Sequence, residues 1–73
     1  MKKRVRMKCI FKTGNCIKDS LLVSKDELQV VNKLKTEIEN SLAKEAGDPK
    51  RMVLFTFAHT TVLLDEIAAI KIW

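Results

Sequence analysis

The sequence predicts an α+β fold, a single ββαββ domain in which antiparallel hairpins pack one sheet face against one long helix. Three observations predict it. Apolar and basic residues alternate at the start of the chain, a long amphipathic segment follows a helix-start signal, and short apolar runs come after that segment. A chain of 73 residues buries only about 60% of the surface that it exposes when unfolded. We therefore expect one domain over residues 1–73, without a deep pocket.

A half-buried strand begins the chain. Between residues 3 and 12 the side chains alternate between apolar and basic, which is the period of a strand with one face on a core. The apolar side carries Val5, Met7, Cys9 and Phe11. The other side carries Arg4, Arg6, Lys8, Ile10 and Lys12.

A hairpin follows this strand. Thr13-Gly14-Asn15 is a turn signal, and residues 16–23 form a second predicted strand. With 13–15 as a three-residue loop, Phe11 lies opposite Ile17, and the apolar residues of both strands share a face. In this register Asp19 falls on the apolar face, where a carboxylate is not expected.

The helix has a clear start and a predicted end. Residues 24–27, Ser-Lys-Asp-Glu, form a capping box. Apolar residues then recur every three or four positions on one stripe, at Leu28, Val31, Leu34, Ile38, Leu42 and Ala46, with Val30 widening it. Gly47 can adopt a left-handed cap, and Pro49 cannot continue a helix. We predict a helix over residues 25–46.

The second half of the chain predicts further strands. Residues 51–57 are so uniformly apolar and aromatic that they predict a central strand. A turn at 58–60 leads to a fourth strand at 61–64. One tight helical turn at 65–68 leaves 69–73 as a short last strand.

One face of the sheet has no partner within the chain, because a single helix covers only one face. The candidate surface for a partner or nucleic acid consists of Arg4, Arg6, Lys8, Ile10, Lys12, Lys18, Lys71 and Trp73. Strand alternation adds the apolar residues Leu22, Leu54 and Leu63. A mixed basic and apolar surface is typical of an interface.

The cysteine and histidine content does not indicate a metal site. Structural zinc needs four closely placed ligands, and the chain offers only Cys9, Cys16 and His59. The spacing of the two cysteines permits a disulfide across the turn, but their positions on opposite strand faces argue against it. We expect free thiols, no metal and no cofactor.

Catalysis is not expected. His59 lies in a predicted turn without a partner nearby in the sequence. Asp65 and Glu66 are adjacent and would point to opposite sides of a strand, which is poor geometry for a carboxylate pair. The two glycines are isolated, so the chain has no phosphate-binding loop. We predict a protein that is not an enzyme.

Two kinds of binding function fit the composition. The favoured one is a protein-interaction module that forms a homodimer through a sheet edge or the uncovered face and also contacts a protein partner. The alternative is a nucleic-acid-binding protein that uses the basic first strand, consistent with a net charge of +5 and a pI near 9.5. Against this alternative, strand alternation directs the phenylalanines toward the core, so that Trp73 is the only aromatic residue that can stack on a base.

The location expected from the sequence is cytoplasmic. Lys8 and Lys12 interrupt the apolar run that a signal peptide would need after its basic start. No stretch approaches the roughly 20 apolar residues that span a bilayer, so we expect no membrane association.

The run from Val62 to Ile72, VLLDEIAAIKI, and the ββαββ order resemble small, largely uncharacterised accessory proteins of bacterial phages and mobile elements. The resemblance covers the second half of the chain and carries over no functional residues. It implies a bacterial or phage adaptor or inhibitor in the cytoplasm.

Overall fold

The strands and the helix follow the predicted order. The computed structural model describes residues 1–73, with elements β1 (Lys3–Phe11), β2 (Cys16–Val23), α1 (Lys25–Leu42), β3 (Leu54–Phe57), β4 (Thr60–Leu63), a 3₁₀ turn (Leu64–Glu66) and β5 (Ile67–Ile72). They form two antiparallel sheets, one of three strands in the order β2-β1-β5 and one of two strands, β3-β4. The predicted α+β class and ββαββ order are confirmed, and the fifth strand is present.

The basic strand β1, and not the apolar run 51–57, is the central strand. It pairs with β2 on one side and with β5 on the other. The prediction for 51–57 is wrong because only Leu54–Phe57 is a strand, and it lies in the two-stranded sheet. Phe55 and Phe57 are buried while Leu54 is exposed, so the run is a half-buried strand with an apolar outer side.

The first hairpin has its loop one residue earlier than predicted. The Phe11 N–H donates to the Asn15 carbonyl at 2.8 Å, and the Gly14 N–H donates to the Phe11 carbonyl at 2.9 Å. The loop is therefore 12–14, a type I turn followed by Gly14 with φ +93°. Cys9, and not Phe11, lies opposite Ile17. The shift of two residues leaves the faces unchanged, because side chains alternate with a period of two.

The capping box forms as predicted. The Ser24 N–H donates to Glu27 Oε1 at 3.1 Å, and the Glu27 N–H donates to Ser24 Oγ at 3.3 Å. The helix ends at Leu42, four residues before the predicted end at 46. Gly47, with φ +94°, instead belongs to a separate turn closed by the Asp48 N–H on the Glu45 carbonyl.

The early end of the helix is explained by Ser41. Its hydroxyl accepts a hydrogen bond from the Met52 N–H at 3.1 Å, and its carbonyl accepts one from Arg51 Nε at 3.0 Å. The Arg51 guanidinium also forms an ion pair with Asp65. The segment after the helix is therefore attached to the last helical turn and to the 3₁₀ turn.

The core lies between the helix, the second sheet and one face of the three-stranded sheet. Its buried apolar residues are Val5, Met7, Cys9, Val23, Val31, Ile38, Phe55, Phe57, Val62, Leu64, Ile67 and Ile72. Leu28, Leu34 and Leu42 pack against this cluster, as the helical stripe predicted. Val30 does not belong to the stripe, because it is 68% exposed, and Ala46 lies outside the helix.

Asp19 connects the two sheets. Its Oδ2 accepts hydrogen bonds from the Thr60 hydroxyl at 2.7 Å and the His59 N–H at 3.2 Å, while Oδ1 accepts one from the Ser20 N–H at 2.8 Å. The carboxylate on the apolar face is thus satisfied by the turn between β3 and β4.

Candidate functional site

The face of the three-stranded sheet that points away from the core is covered by no part of the chain. We call it the outer face. Its side chains, placed by strand alternation and pairing, are Arg4, Arg6, Lys8 and Ile10 from β1, Cys16, Lys18, Ser20 and Leu22 from β2, and Ala69, Lys71 and Trp73 from and just after β5. Each is exposed or only partly buried.

Seven of the eight predicted surface residues lie together on this face. Lys12 does not, because it lies in the hairpin loop, where its N–H donates to the Glu66 carbonyl at 2.9 Å. Leu54 and Leu63 are also absent from the face, since they lie opposite each other in the second sheet. Both corrections follow from the pairing of the strands, which the sequence could not specify.

Three lysines form one row across the centre of the outer face. Lys8 on β1 lies opposite Lys18 on β2 and opposite Lys71 on β5. Side chains directly opposite each other on neighbouring strands have Cβ atoms about 4.5–5.5 Å apart, and like charges in this arrangement destabilise a sheet. The row therefore carries an electrostatic cost that a bound anion would offset.

A second row contains the only tryptophan. Arg6 and Trp73 exchange both of their backbone hydrogen bonds, at 2.7 and 2.9 Å, which fixes Trp73 beside Arg6. Trp73 is 47% exposed. The Lys71 ammonium lies 5.1 Å from the centroid of the indole ring, a cation–π distance.

Between these two rows lies an open depression of about 770 Å³, lined by Arg6, Lys8, Lys18, Ser20, Lys71 and Trp73. Met7 and Asp19 also border it, although by strand alternation both belong to the opposite face of the sheet. Arg4 lies at its margin, where its guanidinium donates to the Ser20 hydroxyl at 2.9 Å. Ile10 and Leu22, both exposed, are apolar flanks of the basic area.

The charge of the whole protein is concentrated on this face. Of the 14 lysine and arginine residues, five lie on the outer face, namely Arg4, Arg6, Lys8, Lys18 and Lys71, and no aspartate or glutamate lies there. The nine cations that remain equal in number the nine acidic residues of the chain. The net charge of +5 is therefore the charge of the outer face.

The residues with possible catalytic chemistry are dispersed. His59 is exposed in the turn between β3 and β4, and its backbone N–H donates a hydrogen bond to Asp19 Oδ2. Both cysteines are free thiols, with Cys9 buried and Cys16 exposed, and burial raises the pKa of the Cys9 thiol. No three histidine, cysteine, aspartate or glutamate side chains are grouped so that they could hold a metal ion.

The sequence reasoning missed several features of the face. The pairing of β5 with β1 brings Lys71 beside Lys8 and adds Ala69 to the surface, and the pairing of β2 with β1 adds Cys16 and Ser20. Strand alternation alone could have placed Cys16 and Ser20 on the basic side of β2. Nothing in the local sequence signals that the last strand lies beside the first.

No protein-family model, curated protein or solved structure matches the chain. The resemblance to accessory proteins of phages and mobile elements therefore stays a prediction. The structure contains no helix that combines the length and the apolar character needed to cross a membrane.

Proposed function

We propose that this protein is a non-enzymatic binding module whose outer face binds nucleic acid through its phosphate groups. The observation that carries the proposal is the row of Lys18, Lys8 and Lys71 on a face without acidic residues. Phosphate groups at regular spacing would neutralise such a row, and release of their counterions would drive binding. The sequence alone favoured a protein partner, whereas the arrangement of the charges favours the alternative.

The same charges disfavour self-association through the outer face. A symmetric dimer brings identical patches of two copies together. Two outer faces would bring ten cations into contact with no acidic residue between them. Like-charge contacts of this kind cost several kcal/mol. An external polyanion is therefore a better occupant of this face than a second copy of the chain.

The test is a titration of labelled oligonucleotides at several salt concentrations. Five phosphate contacts predict a slope of log K against log salt of about −3.5 for a single strand. The variant R6E/K8E/K71E should lose this binding. The control K25E/K33E/K50E reverses three exposed cations outside the outer face and changes the net charge equally, so it should retain most of the affinity. Equal losses in both variants, or no binding at low salt, would contradict the proposal.

A second candidate function, self-association, is favoured by the outer side of the second sheet. Leu54 lies opposite Leu63 on this side, and the hydroxyls of Thr56 and Thr61 form a hydrogen bond of 3.1 Å. The adjoining Val53 is 70% exposed. This patch carries no charge, so two copies can meet there without like-charge contacts. We expect a mass above that of the monomer at tens of micromolar, and a monomeric L54K/L63K variant. A monomer at that concentration would remove this candidate.

A further inference from the structure

We infer that the nucleic acid accepted by the outer face is single-stranded, with one base stacked on Trp73 and the neighbouring phosphates on the row of Lys18, Lys8 and Lys71. This inference rests on the proposed function and names its ligand class. The inference is based on two features of the outer face that phosphate binding alone does not explain, namely the width of the face and its exposed indole.

The width of the outer face does not fit a duplex groove. Three strands separated by about 4.8 Å make a slab wider than the α-helix or two-stranded ribbon that the major groove admits. A duplex could therefore contact the outer face only through the backbone phosphates on one side of its outer surface, without contacts in the groove. A flexible single strand can follow the flat surface and bring its phosphates to Lys8, Lys18 and Lys71 in turn.

Trp73 provides the contact that only an unpaired base can make. Its ring stands on the same face as the lysine row, anchored by the backbone pairing of Trp73 with Arg6. The bases of a duplex are already stacked on one another, so they leave an exposed indole without a partner. An unpaired base has a free π-face, and stacking on an aromatic side chain does not depend strongly on which base it is.

Lys71 links the two contacts. It belongs to the lysine row through its position opposite Lys8, and its ammonium lies 5.1 Å from the Trp73 ring. A phosphate held by Lys71 would therefore lie next to a base on Trp73, within the same depression of about 770 Å³. The arrangement places one base-binding element beside three phosphate-binding ones, so we expect little sequence preference.

Trp73 is the only tryptophan, so intrinsic fluorescence reports on this site alone. The experiment titrates the protein with a single-stranded oligonucleotide, the matching duplex and inorganic polyphosphate, which has the charges without bases. We expect quenching and the highest affinity with the single strand. Polyphosphate should bind without comparable quenching, and the duplex should bind more weakly per phosphate.

Variants at Trp73 separate the base contact from the charges. Measured by anisotropy of a labelled single strand, W73L should lower the affinity roughly 5- to 150-fold, since stacking contributes about 1–3 kcal/mol per base. W73F keeps a smaller aromatic ring and should lose less. The side chain is exposed, so both variants should fold, which circular dichroism verifies.

The outcomes distinguish this inference from the proposed function. If single strand, duplex and polyphosphate bind equally per charge, without quenching and without effect of W73L, the base contact is wrong while nucleic-acid binding stands. If no nucleic acid binds at low salt, both fail. Preferential single-strand binding with quenching, and its reduction in W73L, supports both.

Discussion

The carboxylate of Asp19 accepts a 2.7 Å hydrogen bond from the hydroxyl of Thr60, a residue 41 positions later in the chain. Through this bond, and through the His59 N–H, the edge strand β2 of one sheet holds the turn of the other. The residue that looked misplaced on an apolar strand face is therefore the polar link between the two sheets.

The link through Asp19 predicts a dependence of stability on acid. The Thr60 hydroxyl, followed by the Ser20 N–H, lowers the pKa of Asp19 below its ordinary value near 3.8. The unfolded chain then binds the proton more readily than the folded protein does. The contribution of the Asp19 carboxylate to the free energy of unfolding is therefore complete above the ordinary pKa, and it is lost as the pH falls through the lower pKa of the folded protein. Urea midpoints from neutral pH down to about pH 2 measure it. D19N should be less stable than the native protein at neutral pH, and its stability should fall less on acidification. D48N, whose amide preserves an Asx turn, should behave as the native protein.

The turn between β3 and β4 predicts a stabilising glycine. Ala58 has φ +53° in a two-residue loop, and His59 is not in the left-handed region, as in a type II′ turn. We expect A58G to raise the free energy of unfolding by about 0.5–1 kcal/mol, reduced by the loss of a methyl group that packs on the core. A58V should lower it, because a branched side chain resists positive φ. Urea unfolding of the native protein and both variants decides, and the prediction fails if A58G is less stable than the native protein.

Two apolar positions of α1, about two turns apart, should respond very differently to truncation. Ile38 is fully buried in the core, so I38A should cost about 2–5 kcal/mol. Val30 faces solvent, and V30A should change stability by less than about 0.5 kcal/mol. Thermal unfolding of both variants checks this. A large loss in V30A would mean that the valine is covered in solution, for instance by another copy of the chain.

Removal of the Ser41 hydroxyl should release the segment after the helix. S41A leaves the partly buried Met52 N–H without its acceptor, and the loss of a typical hydrogen bond costs about 0.5–1.5 kcal/mol. We expect faster hydrogen exchange at the Met52 amide together with this loss of stability. N40A, at an exposed neighbouring position, is the matched control. Unchanged exchange at Met52 in S41A would contradict the role of this bond.

The lysine row predicts a conflict between stability and binding. K8E replaces a like charge by an opposite one facing Lys18 and Lys71, and each such cross-strand pair contributes about 0.2–1 kcal/mol. The variant should be more stable than the native protein at low salt, with a smaller gain at high salt, yet bind oligonucleotides more weakly. K33E, which meets Glu37 one turn later on the helix, should gain no stability. A destabilised K8E would show that the row carries no electrostatic cost.

Local signals predicted the parts of the fold that depend on neighbouring residues. The capping box at Ser24 and Glu27 marked the helix start, and alternation assigned the faces of β1. The loop of the first hairpin was misplaced because two registers that differ by two residues give the same faces, and only the requirement for positive φ at Gly14 distinguishes them.

Long-range pairing accounts for the remaining errors. The run 51–57 was predicted to be a central strand because it is uniformly apolar and aromatic, whereas the basic outer side of β1 did not indicate that β1 has a neighbour on both edges. The packing of the whole chain determines the neighbours of each strand. Nothing in the sequence of β5 indicates that Lys71 will lie beside Lys8. The same limit explains why the individual candidate residues were found and the lysine row was not.

The strand order β2-β1-β5 has a consequence for the timing of folding during synthesis. The first hairpin can form as soon as residues 3–23 are made, but a lone hairpin is only marginally stable in water. One edge of β1 stays open until residues 67–72 arrive, more than fifty residues after the end of β1 at Phe11. Lys71 and Trp73 come with them, so the nascent chain acquires its complete basic surface only when nearly all of these 73 residues have been synthesised. A chain truncated before Ile67 would lack the strand that pairs with the second edge of β1, and with it Lys71 and Trp73.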